Sequence, residues 1–181
     1  MTAILCSSCG TAPARPEFIT PDPSWFLIRD KYEPAVKEIL SSQRKTPMLW
    51  LTTEAGFTSE HGIHVAEPWA PQFQVMIHEL AHWHNPHLGE LPAIVEEGVA
   101  LTVVYELGFS AFMRPPEILP PFTNTLKELG MDYPEFASCS QERRWMLATR
   151  GFGIVNRIGL DRLLKMSDVS PEAIALAAGL K

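Results

Sequence analysis

The chain has 181 residues, a length that suits one domain better than two. Hydrophobic residues make up 46% and charged residues 20%, ordinary globular usage that excludes global disorder and collagen-like or coiled-coil architectures. The net charge of −6 argues against non-specific binding to nucleic acid or another polyanion. Proline is the outlier: its 16 residues are nearly twice the usual ~5%, so short helices and structured loops are expected rather than a long bundle.

Residues 1–21 hold Pro13, Pro16 and Pro21 among small residues and read as an extended N-terminal arm. Asp22-Pro23 is suited to cap and open a helix that carries Trp25, Phe26 and Ile28. Pro34 should begin or kink a second helical piece, with Val36, Ile39 and Leu40 at core spacing. Residues 47–53 read as a strand, 54–56 as a turn and 61–67 as a second strand, with Ile63 and Val65 on one face. From Pro71 the period changes: Phe73, Val75, Met76, Ile77, Leu80 and Ala81 suit a buried helix that Asn85-Pro86 should end. Pro92 is placed to open a further helix through Ile94, Val99 and Val104 towards Gly108. Four prolines make 113–121 a rigid loop, and helices are expected near 122–129, 140–158, 159–166 and 171–179. The expected class is α+β, mostly helical, with one small sheet before the central helices.

No stretch approaches the ~20 apolar residues of a membrane span. The start lacks a basic n-region, and Cys6, Cys9 and Cys139 are too few for a disulfide scaffold, so a cytoplasmic protein is expected. Cys6-Ser7-Ser8-Cys9 looks like half a zinc knuckle, but no second CxxC exists to complete it. Solvated, reduced thiols are the reading adopted. A zinc-binding arm on a DNA-associated protease is the rival, opposed by the acidic charge and the lone CxxC.

The segment that carries chemistry is His78-Glu79-Leu80-Ala81-His82, an HExxH motif inside an apolar helix. Histidines at i and i+4 share a helical face, roughly 6 Å apart between Cβ atoms, and can converge on one ion. Zinc is expected, because two imidazoles and a carboxylate leave a fourth position for water. Glu79 can then take a proton from that water as it attacks a carbonyl. Four of the six histidines lie between 78 and 87. However, the HExxHxxGxxH pattern would need Gly at 85 and His at 88, where this chain has Asn85 and Leu88. His84 and His87 are therefore expected as exposed residues at a helix end, where a cationic imidazole suits the dipole. The third ligand is sought in Glu96-Glu97-Gly98-Val99-Ala100. Both acids sit among apolar neighbours, and periodicity separates them only weakly.

HExxH followed by a helix with Glu-Gly-x-Ala resembles the gluzincin branch of zinc metallopeptidases. The resemblance spans about residues 47–165: the strand pair, HELAH, LPAIVEEGVALTV and the later RGFGIVNRIGLDRLLKM. It implies a single zincin-like domain over 22–181, His78, His82 and Glu97 as zinc ligands, and Glu79 as general base. It also implies a peptide or protein substrate, paired with an edge strand for which 61–67 is the candidate. Two departures stand out. Only 14 residues separate His82 from Glu97, fewer than in several members. Where members supply Tyr or His to stabilise the oxyanion, this chain offers Arg150, Asn156 and Arg157, with Tyr105 and Tyr133 elsewhere. That gap motivates the alternative of a non-proteolytic metal-binding module on the same fold.

Overall fold

The computed structural model describes residues 21–52, 56–66, 72–109 and 125–180. The first 20 residues, with Cys6 and Cys9, lie outside them, as do most of the expected 54–56 turn and the 113–121 loop. Helix α1 (Pro23–Ile39) starts as its sequence foretells: Asp22 caps it by accepting the Ser24 N–H at 2.8 Å, and Pro23 fills the first turn. It does not divide at Pro34, but runs through as one helix of 17 residues. A proline inside a helix costs about 3 kcal/mol. Packing of α1 on the central helices, with Trp25 and Val36 buried, offsets it. The general expectation of short helices fails here.

Three short strands follow: β1 (Leu49–Thr52), β2 (Phe57–Ser59) and β3 (Gly62–Ala66). Their order is β1-β3-β2, with β3 parallel to β1 and antiparallel to β2. Among the described residues, the strand expected at 61–67 is thus the middle one, not an edge, and the edges are β1 and the unforeseen β2. Three residues are too few to show alternation, which is why β2 escapes a periodicity reading. Gly62 opens β3 because Ile63 N–H donates to the Met48 carbonyl at 2.9 Å. A Cβ on Gly62 would stand 2.2 Å from that same oxygen, and its φ of +141° excludes other residues.

Helix α2 (Phe73–His84) ends at Asn85, held extended ahead of Pro86, as expected. Helix α3 (Ala93–Glu106) then crosses the centre of the molecule with every residue from Ala93 to Val104 buried. Such a helix needs neighbours on all sides, and it packs on α2 and on α6 (Gln141–Ile158). The approach to α6 is close enough to require glycine on both helices. A Cβ on Gly98 would lie 2.2 Å from the Gly151 carbonyl carbon, and one on Gly151 would lie 1.6 Å from the Ile94 oxygen. Gly98 thus serves the crossing with α6.

Around this centre lie α4 (Thr125–Leu129), α5 (Tyr133–Ser138), α7 (Leu160–Leu163) and α8 (Pro171–Ala177). Of these only α5 was not anticipated, although Asp132 caps it through the Glu135 N–H at 2.8 Å. One continuous apolar core joins Trp25 at one end of the chain to Ala178 at the other. The class is α+β, mostly helical, as the sequence implied. No helix among the described residues is long and apolar enough to cross a membrane.

Candidate metal centre

The HExxH helix and the Glu-rich turn of α3 face each other. His82 is fully buried and His78 half-buried, and their Nε2 atoms stand 3.0 Å apart. Glu97 Oε2 lies 3.4 Å from His78 Nε2, and Oε1 lies 3.7 Å from His82 Nε2. All three ligand atoms fall within 4.8 Å of one another, the one such group among the described residues. In a tetrahedral zinc site with ~2.0–2.1 Å bonds, neighbouring ligand atoms are about 3.3 Å apart. The observed separations are of that order, so His78, His82 and Glu97 could hold a metal ion.

Glu96 does something different. Its carboxylate is wholly buried, with Oε1 3.5 Å from His82 Nδ1 and Oε2 accepting the Gly89 N–H at 3.3 Å. It sits at the other ring nitrogen of His82, where a carboxylate fixes the tautomer that leaves Nε2 for an ion. The two adjacent acids, which periodicity could hardly separate, are thus divided by geometry. Because α3 is buried all round, it has no polar face for a sequence reading to find.

Glu79 is buried on the same helix. Its Oε2 accepts a hydrogen bond from Thr58 Oγ1 at 2.7 Å, and the same hydroxyl lies 3.1 Å from the Glu79 main-chain oxygen. Burial raises the carboxyl's pKa, opposed by His78, His82 and the Thr58 hydrogen bond. Thr58 had no sequence signal, since β2 itself was unforeseen. At His82, burial favours the neutral ring, but Glu96, Glu97 and Glu79 outweigh it and push the pKa up to about 9. Three buried carboxylates around one imidazole make this a strong seat for positive charge.

His84 and His87 take no part in the triad, and neither is the exposed residue expected at the helix end. His84 is fully buried, with Nε2 3.1 Å from Glu33 Oε1 and Nδ1 3.1 Å from Ser42 Oγ. Burial pulls its pKa down to about 4 despite the Glu33 charge, so the ring is neutral. His87 is tied to the Leu164 carbonyl at 3.2 Å and to Glu90 at 3.4 Å. In the sheet, His61 is exposed, while His64 is buried, stacked on Phe57 at 4.1 Å and 3.0 Å from Ser59 Oγ.

The oxyanion candidates are engaged elsewhere. Arg150 is buried against Glu128, which Arg143 also reaches at 2.9 Å. Tyr105 packs edge-on against Phe152, with ring centroids 5.7 Å apart, and Tyr133 against Phe136 at 6.2 Å. Asn156 and Arg157 are exposed on α6. Cys139 ends α5, with Sγ 3.6 Å from the Glu135 carbonyl. Compared with known proteins, the chain matches no family model, no curated sequence and no solved structure.

Proposed function

We propose that this protein is a zinc-dependent hydrolase of the gluzincin type, cleaving peptide bonds. The observation that carries the reading is the convergence of His78, His82 and Glu97 with a buried, hydrogen-bonded Glu79 on the same helix. A zinc ion held by those three residues would polarise a water and a substrate carbonyl. Glu79 receives the proton of the attacking water and returns it to the leaving amine, a task suited to a carboxylate whose pKa is raised. Thr58 fixes the direction of that carboxylate by holding Oε2. Glu96 keeps His82 in the ligating tautomer. Cysteine usage favours a cytoplasmic setting for this chemistry.

The test is a pair of measurements on one preparation. Dialysed protein should hold about one zinc per chain, and Glu79→Gln should keep the zinc while losing all cleavage of a mixed peptide pool. Zinc bound equally by a His78→Ala/His82→Ala variant would sink the site, and equal cleavage by Glu79→Gln would sink the mechanism. A second reading, a metal-binding module without turnover, is favoured by one observation: Arg150, Tyr105 and Tyr133 all pack against other partners. Zinc binding with no cleavage of any pool would select it.

A further inference from the structure

A cavity of about 460 Å³ lies between residues 41–44, the turn joining β2 to β3, and the C-terminal end of α2. Thr58 lines it, and Thr58 is the residue bonded to Glu79, so the cavity and the proposed catalytic centre share a wall. Arg44 is its cation. The guanidinium stacks over the Trp83 ring, 3.8 Å from the centroid, and Nη1 donates to the Trp83 carbonyl at 2.9 Å. Among the described residues no carboxylate lies within ion-pair distance of it, whereas Lys37, Arg143 and Arg150 each have one. A half-buried guanidinium has lost water without gaining a counter-charge, and its planar fork matches a carboxylate. Burial accordingly pulls the Arg44 pKa below its ordinary value.

The surrounding wall has a fixed polarity. Glu33 is already held by Lys37 at 3.1 Å and by His84. Because Glu33 can only accept, His84 Nε2–H donates to it and Nδ1 accepts from the Ser42 hydroxyl, whose oxygen in turn accepts the main-chain N–H of Arg44 at 3.2 Å. Among the described residues, no carboxylate therefore reaches the guanidinium. Asn85, another lining residue and buried, accepts the His87 main-chain N–H on its Oδ1 at 3.0 Å, while its Nδ2 has no protein acceptor among the described residues. Glu60, the acid of the lining, is solvent-exposed and 3.6 Å from His61, so solvent screens its charge.

We propose that this cavity is a specificity pocket for a carboxylate of the peptide substrate, with Arg44 as its anion-binding residue; the word substrate rests on the peptidase reading above. One arginine suits a monoanion. A phosphate group carries about −1.5 to −2 charges and three acceptor oxygens, and would call for more cations than this wall supplies.

The test is binding, which needs no turnover. The Trp83 indole N–H, donated to the Lys45 carbonyl at 2.7 Å, is the NMR reporter beneath Arg44. Four probes are titrated into zinc-loaded Glu79→Gln protein: N-acetyl-glutamate N-methylamide, its glutamine counterpart, N-acetyl-alanine with a free carboxylate, and inorganic phosphate. At least one carboxylate probe should bind about tenfold more tightly than the glutamine probe and shift the Trp83 signal. Which one does so tells an acidic side chain from a chain end. Added Arg44→Ala should erase the preference, Arg44→Lys should keep part of it, and Arg44→Gln serves if the alanine variant fails to fold. Equal binding of the glutamine probe, tighter binding of phosphate, or a preference that survives in folded Arg44→Ala or Arg44→Gln overturns the proposal. A carboxylate preference in a protein that cleaves no peptide pool leaves the pocket standing while the peptidase reading falls.

Discussion

Two buried charged clusters flank the central helices and have opposite character. Between α4 and α6, the single carboxylate of Glu128 faces two guanidiniums, Arg143 and Arg150. Between α2 and α3, three carboxylates (Glu79, Glu96 and Glu97) surround two imidazoles. The first cluster supplies its own cations and acts as a clamp between helices. The second has acceptors to spare and is completed by an added positive charge, whether a proton on His82 or a metal ion. Buried charge by itself therefore does not mark a site; an excess of acceptors aimed at one point does.

The largest effect that would break this contrast is in metal content. Replacing His78 and His82 by alanine should reduce zinc from about one per chain to none, while Glu128→Ala should leave it unchanged, as read by elemental analysis after dialysis. Next in size is the division between the adjacent acids. Glu97→Ala should lose most of the zinc affinity, and Glu96→Gln about 10–100-fold, in competition titrations against a chelator dye. If Glu96→Gln loses more than Glu97→Ala, the roles of the two acids are reversed.

The clamp should answer in stability. Glu128→Ala leaves Arg150 buried without its partner and should cost about 3–5 kcal/mol in denaturant unfolding. A change under 1 kcal/mol would mean that solvent reaches the pair.

The smallest effect is a pH dependence that sets His82 against its near neighbour His84. In chelated protein His82 has a pKa raised to about 9, so its contribution is full below pH 6.5 and lost as pH rises through about 9. His84 and His64 have pKa values lowered to about 4 by burial, so their contribution is full above pH 6.5 and lost as pH falls towards 4. The combined contribution of these three histidines to the stability of the metal-free chain should peak near pH 6.5. Zinc should flatten the alkaline limb, because a liganded His82 Nε2 carries no proton. Unfolding curves across pH 4.5–9.5 with and without zinc test this, and an alkaline limb unchanged by zinc would contradict it.

Much of the fold was written locally. Caps and prolines set the starts of α1, α3 and α8 and the end of α2, because a missing N–H or a capping oxygen acts within one helical turn. The HExxH spacing likewise puts His78 and His82 on one face by helical geometry alone. What local pattern could not decide was anything that depends on a partner from elsewhere in the chain. Pro34 stays inside α1 because α1 packs on α2, and 61–67 becomes a middle strand because the three residues of β2 pair beside it. Gly98 is only a small residue beside two acids until the crossing with Gly151 shows what it makes room for. Arg150, a candidate for the oxyanion in the sequence, is taken instead by Glu128 from α4. His84, expected as an exposed helix end, is neutral because it is buried, and Arg44, which carried no sequence signal, is half-buried without a carboxylate partner among the described residues. The sequence by itself determined which residues can bind a metal; tertiary packing decided that Glu97 faces the ligand nitrogens and Glu96 the back of His82, since on a helix buried all round only the neighbours give each side chain its direction.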